Sequence, residues 1–230
     1  MTKRKPSPTK TVARKKILIV DDHPMMREGL RGVIGREPDL IVCREAENAR
    51  QAVEAVAQSA PDLVLMDITL PGKNGLELVK DLKALHPQLA ILAISMHEES
   101  LYAERMLRAG ASGYITKQQP SEELVRAIRQ VLAGHLYTSP ELSERLLRRF
   151  SGLPLKAQSP MEVLSDREFE IFHLVGEGKS TKEIARLLHI SGKTVDVHNA
   201  NIRQKLQHKT TAQLIRFAVQ SEEFKQPAAH

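Results

Sequence analysis

The stretch 61–75, PDLVLMDITLPGKNG, restricts the fold more than any other part of the chain. Leu63, Val64, Leu65 and Met66 form a continuous apolar run of strand length, the pattern of a strand buried on both faces. The run stops at Asp67, and Pro71, Gly72 and Gly75 then impose a loop. A carboxylate at the end of a buried strand is costly unless it is paired, hydrogen-bonded or bound to a metal. Asp67 alone could simply cap the next helix, so its meaning depends on what else reaches the same edge.

Other strand-like runs end in the same way. Residues 16–20 (KILIV) lead directly into Asp21-Asp22, and 23–35 places Met26, Leu30, Val33 and Ile34 at helical spacing. A second strand is expected at 40–43 and a helix at 48–58. The strand ending at Asp67 comes third, before a helix at 76–85. A fourth strand, 89–94, ends in Ser95 and precedes a helix at 101–109. A short fifth strand, 113–115, has Lys117 just beyond it, and a helix capped by Ser121 closes the unit at 121–133. Five strands alternating with helices predict an α/β fold: a parallel, doubly wound sheet of order 2-1-3-4-5, flavodoxin-like, covered on both faces.

Ligands of such sheets bind beyond the carboxyl ends of the strands, at the topological switch point. That rule gathers Asp21, Asp22, Asp67, Ser95 and Lys117 at one edge. Crowded carboxylates repel unless a cation neutralises them, and acid oxygens with room for water suit a hard ion such as Mg²⁺. An ammonium and a hydroxyl have little use in metal storage alone, but both serve an anion that forms in the pocket. The expected chemistry is phosphorylation of Asp67. No GxxxxGK[ST] or GxGxxG pattern supports nucleotide binding.

Composition narrows the setting. The 230 residues, 41% of them hydrophobic, suffice for two modest domains, and no apolar run approaches membrane-spanning length. No membrane partner and a cytoplasmic location are expected: the start of the chain lacks a hydrophobic signal segment, and the lone Cys43 excludes an intrachain disulfide. The net charge of +6 is unevenly placed: residues 1–16 carry seven Lys/Arg and no acid, 17–163 are net −3, and 164–220 are net +3. Residues 1–15 read as a disordered basic tail. With aromatics at 3% and no Trp, base stacking on aromatic platforms has little to work with.

Residues 16–135, with Asp21-Asp22, Asp67 followed by LPGKNG, Ser95 and Lys117, resemble the receiver domain of bacterial two-component response regulators. The resemblance implies that Asp67 accepts a phosphoryl group from a sensor histidine kinase. It implies that Asp22, Asp67 and the Thr69 carbonyl hold Mg²⁺, with Asp21 acting through water, and that Ser95 and Lys117 grip the phosphoryl oxygens. Tyr114 would be the aromatic switch that follows the Ser95 hydroxyl inward, and the family tunes phosphoryl lifetime near Thr69 and His97.

The character changes after this unit. A short helix at 140–150 and the Gly-, Pro- and Ser-containing 151–160 make 136–163 a helical linker. Ser165 and Glu168 form a capping-box pattern at the head of a helix carrying Phe169, Phe172, Leu174 and Val175. Residues 181–188 and 193–206 read as two further helices around a tight turn at 189–192, a helix-turn-helix. On a wheel, Val195, His198, Ile202 and Leu206 face the core, while Lys193, Asp196, Val197, Ala200, Arg203 and Gln204 share the opposite side. Such a basic, polar and small-apolar face suits a major groove. Lys179, Thr181, Lys182, Arg186, Lys205 and Lys209 are placed to meet phosphates, and Thr194 and Asn199 complete the expected DNA-contacting set.

The run LSDREFEIFHLVGEGKSTKEIARLLHISGKTVDVHNANIRQKL resembles the LuxR-type DNA-binding domain, here 164–220, with 221–230 as a tail. Receiver followed by LuxR-type domain is the arrangement of the NarL/FixJ family. It implies a transcriptional regulator rather than an enzyme, with double-stranded promoter DNA, a sensor histidine kinase and RNA polymerase as partners, and a homodimer formed on phosphorylation. A helix at 210–219 would correspond to the family's dimerisation helix. Asp196 and Ala200 stand where some relatives place lysines, so the target sequence does not carry over. Two rivals remain at this stage. A Mg²⁺-dependent phosphatase with Asp67 as nucleophile would usually have a second Asp where this chain has Thr69. A receiver gating partner proteins would use the C-terminal helices for docking.

Overall fold

A computed structural model describes residues 13–70, 75–95, 101–151 and 160–223. The expected disordered tail at 1–12, the loop residues Pro71 and Gly72, His97, most of the linker at 152–159, and 224–230 lie outside the described residues. Elements run β1 (Lys15–Val20), α1 (Pro24–Gly35), β2 (Leu40–Ala46), α2 (Ala49–Ser59), β3 (Leu63–Asp67), α3 (Gly75–Leu85), β4 (Ala90–Ser95), α4 (Leu101–Arg108), β5 (Gly113–Thr116) and α5 (Ser121–Leu132). The five strands form one parallel sheet, as the alternating pattern predicts, and its order is β2-β1-β3-β4-β5, the flavodoxin-like order expected.

The apolar runs fix which strands are central. β3 is buried along its whole length and β4 along nearly all of it, whereas β2 shows the mixed exposure of an edge. The sequence pattern stops β2 at Cys43; the strand continues to Ala46, with Arg44 and Glu45 exposed on that edge and paired with Leu18 and Ile19 after a register shift. Two apolar layers cover the sheet. Leu30, Ile34, Leu124, Ile128 and Val131 of α1 and α5 lie on one face. Val56, Leu78, Leu82 and Met106 of α2, α3 and α4 lie on the other, with Tyr114. Cys43 is half-buried and free, its Sγ 3.4 Å from Ile17 O.

Glycine is required where backbones touch. A Cβ on Gly75 would stand 2.6 Å from Ile68 O, and the Gly75 N–H donates to that carbonyl at 3.2 Å. This close approach brings the start of α3 against the backbone that leaves Asp67. At the free edge of β5, Tyr137 follows α5 back alongside Gly113 in an isolated bridge, and a Cβ on Gly113 would lie 2.8 Å from Tyr137 O. Helix α5 begins at Ser121 itself, with Pro120 as its cap residue and no side-chain cap, which corrects the expected Ser121 cap.

After Tyr137 the chain forms α6 (Pro140–Phe150), whose Leu142 is buried in the same layer as Tyr114. A 3-10 turn at Pro160–Val163 leads into α7 (Asp166–Gly176), α8 (Thr181–Leu187), α9 (Gly192–Lys205) and α10 (Thr211–Glu223). Phe169, Phe172, Ile184, Val195, Ile202, Leu214 and Ala218 make their common core. Both α7 and α8 start with full capping boxes, Ser165 with Glu168 and Ser180 with Glu183, and Ser191 caps α9.

A carboxylate pocket and a helix-turn-helix face

The carboxyl edge of the sheet brings the expected residues together. β1 ends in Val20 and delivers Asp21; β3 ends in Asp67; β4 ends in Ser95; Lys117 follows β5. Asp21, Asp67 and Ser95 are buried. Lys117 Nζ donates to Asp21 Oδ2 and to Asp67 Oδ2, both at 2.7 Å, and the Lys117 N–H donates to Ser95 O at 2.6 Å. Asp67 Oδ1 accepts the Thr69 N–H at 3.0 Å. Tyr114 is buried at the centre of β5, its N–H donating to Tyr137 O.

One ammonium among buried carboxylates leaves an excess of negative charge. Burial pushes the Asp67 carboxyl above the ordinary aspartate range, against the pull of Lys117 and the Thr69 N–H. Burial alone would lower Lys117, but Asp67 and Asp21 outweigh it and hold the amine more strongly protonated than usual. The pocket therefore keeps its cation and strains its anions, the condition in which a further cation is welcome.

Asp21, Asp22, His23 and Asp67 each offer a ligand atom, all within 4.8 Å of one another. Asp22 Oδ1 is buried without a hydrogen bond; His23 Nδ1 lies 2.8 Å away but off the line a bond needs. An orphaned carboxylate oxygen beside two more carboxylates fits a hard divalent cation better than it fits a purely structural cluster.

Sequence reasoning missed two residues of this site, Arg27 and His23, and gave Gly75 only as a loop former. Arg27, nearly buried, donates to Asp21 O at 2.8 Å and pairs with Glu47 at 2.5 Å, which fixes the turn carrying the acidic pair. His23 closes that turn with its N–H on Asp21 Oδ1 at 2.8 Å. Gly75 seats the loop after Asp67. The signal for Arg27 was its place on the inward side of α1, one turn below Asp21-Asp22.

In the C-terminal unit, Lys193, Asp196, Val197, Ala200 and Gln204 of α9 are exposed, as are Lys179 and Lys182. Thr181, Thr194 and Asn199 are half-buried. Two expected phosphate or base contacts are placed differently: Lys205 stays exposed but is tied to a neighbouring helix, and Arg203 is partly enclosed. Lys205 Nζ donates to Glu168 Oε2 at 2.6 Å, tying α9 to α7. Arg203 is half-buried, with Nε enclosed and without a partner. Among the described residues the receiver leaves the stripe of α9 exposed. It packs instead on the start of α7.

Comparison with known proteins agrees with this geometry. The model of the response regulator receiver domain matches residues 17–129, and that of the bacterial regulatory proteins of the luxR family matches 162–218. The chain belongs to the NarL/FixJ family of response regulators. This regulator is 35% identical to the nitrate/nitrite response regulator protein NarL of Escherichia coli K12 over 84% of its own length and 90% of NarL. It is also 35% identical to the oxygen regulatory protein NreC of Staphylococcus carnosus, over 89% and 96%. Promoter-bound RcsB from Salmonella enterica serovar Typhimurium, at 24% identity and a TM-score of 0.63, shares the fold over 90% of the regulator and 98% of RcsB. The family is one of DNA-binding transcriptional regulators, not enzymes. Among the described residues no helix is long and apolar enough to cross a membrane.

Proposed function

We propose that Asp67 is the phospho-acceptor of this regulator and that its phosphorylation controls promoter binding by α9. The observation that carries the reading is the double salt bridge from Lys117 to Asp67 and Asp21 at one sheet edge, beside an orphaned Asp22 oxygen. Asp22, Asp67 and the Thr69 carbonyl would hold Mg²⁺, with Asp21 beside them; bound there, the ion supplies charge neutralisation at the transferring group. An Asp67 carboxylate oxygen attacks the phosphorus of a histidine kinase's phosphoimidazole. The P–N bond breaks, its electron pair leaves with the imidazole, and a P–O bond to Asp67 forms. Lys117 then exchanges the Asp67 carboxylate for a phosphoryl oxygen, and the Ser95 hydroxyl reaches a second. Tyr114, packed in the layer that holds Leu142 of α6, follows that movement.

On the DNA side, Lys193, Asp196, Val197, Ala200 and Gln204 face the major groove, with Thr194 and Asn199 at its margin, and Lys179, Thr181 and Lys182 set the phosphate register. A homodimer formed on phosphorylation, through α10 or the receiver, places two copies on half-sites about one helical turn apart and presents the pair to RNA polymerase. Because α9 is exposed, the unphosphorylated receiver acts by fixing the orientation of the helix-turn-helix unit rather than by masking its reading face.

Intact-mass spectrometry after incubation with phosphoramidate and Mg²⁺ tests the acceptor. One phosphoryl addition on wild type, absent in Asp67→Asn and in wild type with chelator, is expected. Equal addition on Asp67→Asn would refute the assignment.

A further inference from the structure

His23 occupies the N-cap position of α1, where a Ser, Thr, Asp or Asn side chain would satisfy a free N–H of the first turn. Its ring makes no such bond. The backbone is held without it: the His23 N–H donates to Asp21 Oδ1 at 2.8 Å, the His23 carbonyl accepts the Arg27 N–H at 3.1 Å, and Pro24 fixes the first helical φ. The imidazole is spent on the carboxylate pocket instead. Its Nδ1 lies 2.8 Å from Asp22 Oδ1 and 3.3 Å from Asp21 Oδ1.

A hydrogen bond accounts poorly for this placement. The contact to Asp22 is short but badly aligned and leaves that buried oxygen orphaned. The contact to Asp21 is long, and that oxygen already accepts the His23 N–H. Coordination accounts for it better. Ligand atoms at right angles around an ion, with bonds of about 2.1 Å, stand about 3.0 Å apart. Nδ1 and the two oxygens are spaced as such neighbours, and Asp67 brings a further oxygen within 4.8 Å of them all. The ring is 67% exposed and borders, with Asp22 and Thr69, a crevice of about 210 Å³, room for the waters that complete a shell. The turn itself is braced by the Arg27 guanidinium, which donates to Asp21 O and pairs with Glu47.

We propose that His23 is a nitrogen ligand of this pocket and gives it a preference for a first-row divalent transition ion, such as Mn²⁺ or Co²⁺, over Mg²⁺. The inference rests on the carboxylate cluster as a metal site and names the class of ion it selects. Oxygen donors from Asp22, Asp67 and Thr69 serve Mg²⁺ and a transition ion alike. An imidazole nitrogen favours the transition ion, and more so from Mn²⁺ to Co²⁺, because Mg²⁺ gives up its waters reluctantly and prefers oxygen. Binding through Nδ1 places the proton of the neutral ring on Nε2.

The test uses the full chain, with Mg²⁺, Mn²⁺ and Co²⁺ each titrated by calorimetry into wild type, His23→Gln and Asp67→Ala. His23→Gln should bind Mg²⁺ within about twofold of wild type, Mn²⁺ about fivefold more weakly and Co²⁺ about twentyfold more weakly. Electron spin echoes of wild type carrying one equivalent of Mn²⁺ should show the modulation of a directly bound nitrogen. That modulation should change when histidine alone is labelled with ¹⁵N and vanish in His23→Gln. Thermal unfolding identifies folded variants, and His23→Asn, which places a favoured capping residue at the head of α1, serves if His23→Gln does not fold. Affinities that are unchanged or fall equally for all three ions, or wild type without nitrogen modulation, overturn His23 as a ligand. Equal binding of the ions by wild type and Asp67→Ala would instead overturn the pocket as the metal site on which the inference depends.

Discussion

The Lys117 ammonium donates to the Asp67 carboxylate at 2.7 Å, with both side chains almost wholly buried. The bond joins the loop after β5 to the end of β3 and compensates charge that burial would otherwise make prohibitive. Removing one partner of such a pair is worse than removing both. Lys117→Met is therefore expected to destabilise the receiver by about 3 kcal/mol at neutral pH in Mg²⁺-free buffer, with added Mg²⁺ recovering part of the loss, as read by urea unfolding.

The same pair sets a pH dependence. The folded-state pKa of Asp67 lies above its unfolded value, because burial outweighs Lys117. The folded state therefore holds that proton more tightly, and the stability it adds is fully present below the unfolded pKa and lost as pH rises through the folded one. In Lys117→Met the window widens upward, so the deficit should shrink as the pH is lowered from 7 toward 5. A deficit independent of pH would show that lost packing, not charge, causes it.

Gly75→Ala tests the seat of the acceptor loop. A Cβ there would meet Ile68 O at 2.6 Å, so α3 or the backbone beyond Asp67 must shift. The variant should lose about 1–3 kcal/mol and slow phosphorylation by phosphoramidate by about tenfold or more, because a small displacement of the reacting group is amplified in rate. Gly29→Ala, where no atom lies within 4 Å of the added carbon, is the control and should stay near wild type.

Much of this was legible in the chain. The alternation of apolar runs with helical patterns gives a parallel sheet covered on both faces, because every inner strand must be buried; the order 2-1-3-4-5 is one of the doubly wound orders and does not follow from the alternation alone. The five polar residues at four strand ends converge because parallel strands all finish on one edge. What was not legible depends on contacts distant in sequence. Arg105 and Asp166, joined at 2.9 Å, belong to different units, and nothing local in α4 announces that its arginine leaves solvent for α7. Lys205 is exposed like its neighbours on α9, yet its ammonium is engaged by the carboxylate of Glu168, thirty-seven residues earlier in the chain. The Ser180 capping box carried a signal, a serine followed three residues later by Glu183, and was hidden by Thr181 and Lys182 between them, which read as phosphate contacts.

Glu168 gives the C-terminal unit its own acid sensitivity. Burial would raise its pKa, but Lys205 and the Ser165 N–H outweigh that and hold it below the ordinary glutamate range. Its contribution is present above the unfolded pKa and disappears as pH falls through the folded one. Glu168→Gln should cost about 1–2 kcal/mol at neutral pH, through the lost cap and ion pair, and nothing further under acid conditions. Unfolding curves of the full chain at neutral and acid pH measure both.

DNA contacts divide by their response to salt and sequence. Lys182→Ala and Lys193→Ala should each weaken binding across all sequences and reduce the salt slope of log K by about 0.9. Gln204→Ala and Asp196→Ala should change which bases are preferred and leave the slope nearly intact. Lys205→Ala, already engaged with Glu168, should alter stability more than slope. Fluorescence anisotropy on a site selected from random duplex DNA separates these outcomes.

The central claim is that a phosphoryl group on Asp67 raises DNA affinity through the carboxylate pocket. The most direct measurement is the dissociation constant for that selected site, with and without phosphoramidate and Mg²⁺, for wild type and Asp67→Asn side by side. Wild type should bind about tenfold or more tightly once phosphorylated, and Asp67→Asn should not respond. An equal response in both proteins, or none in wild type whose mass shows a bound phosphoryl group, would contradict the account.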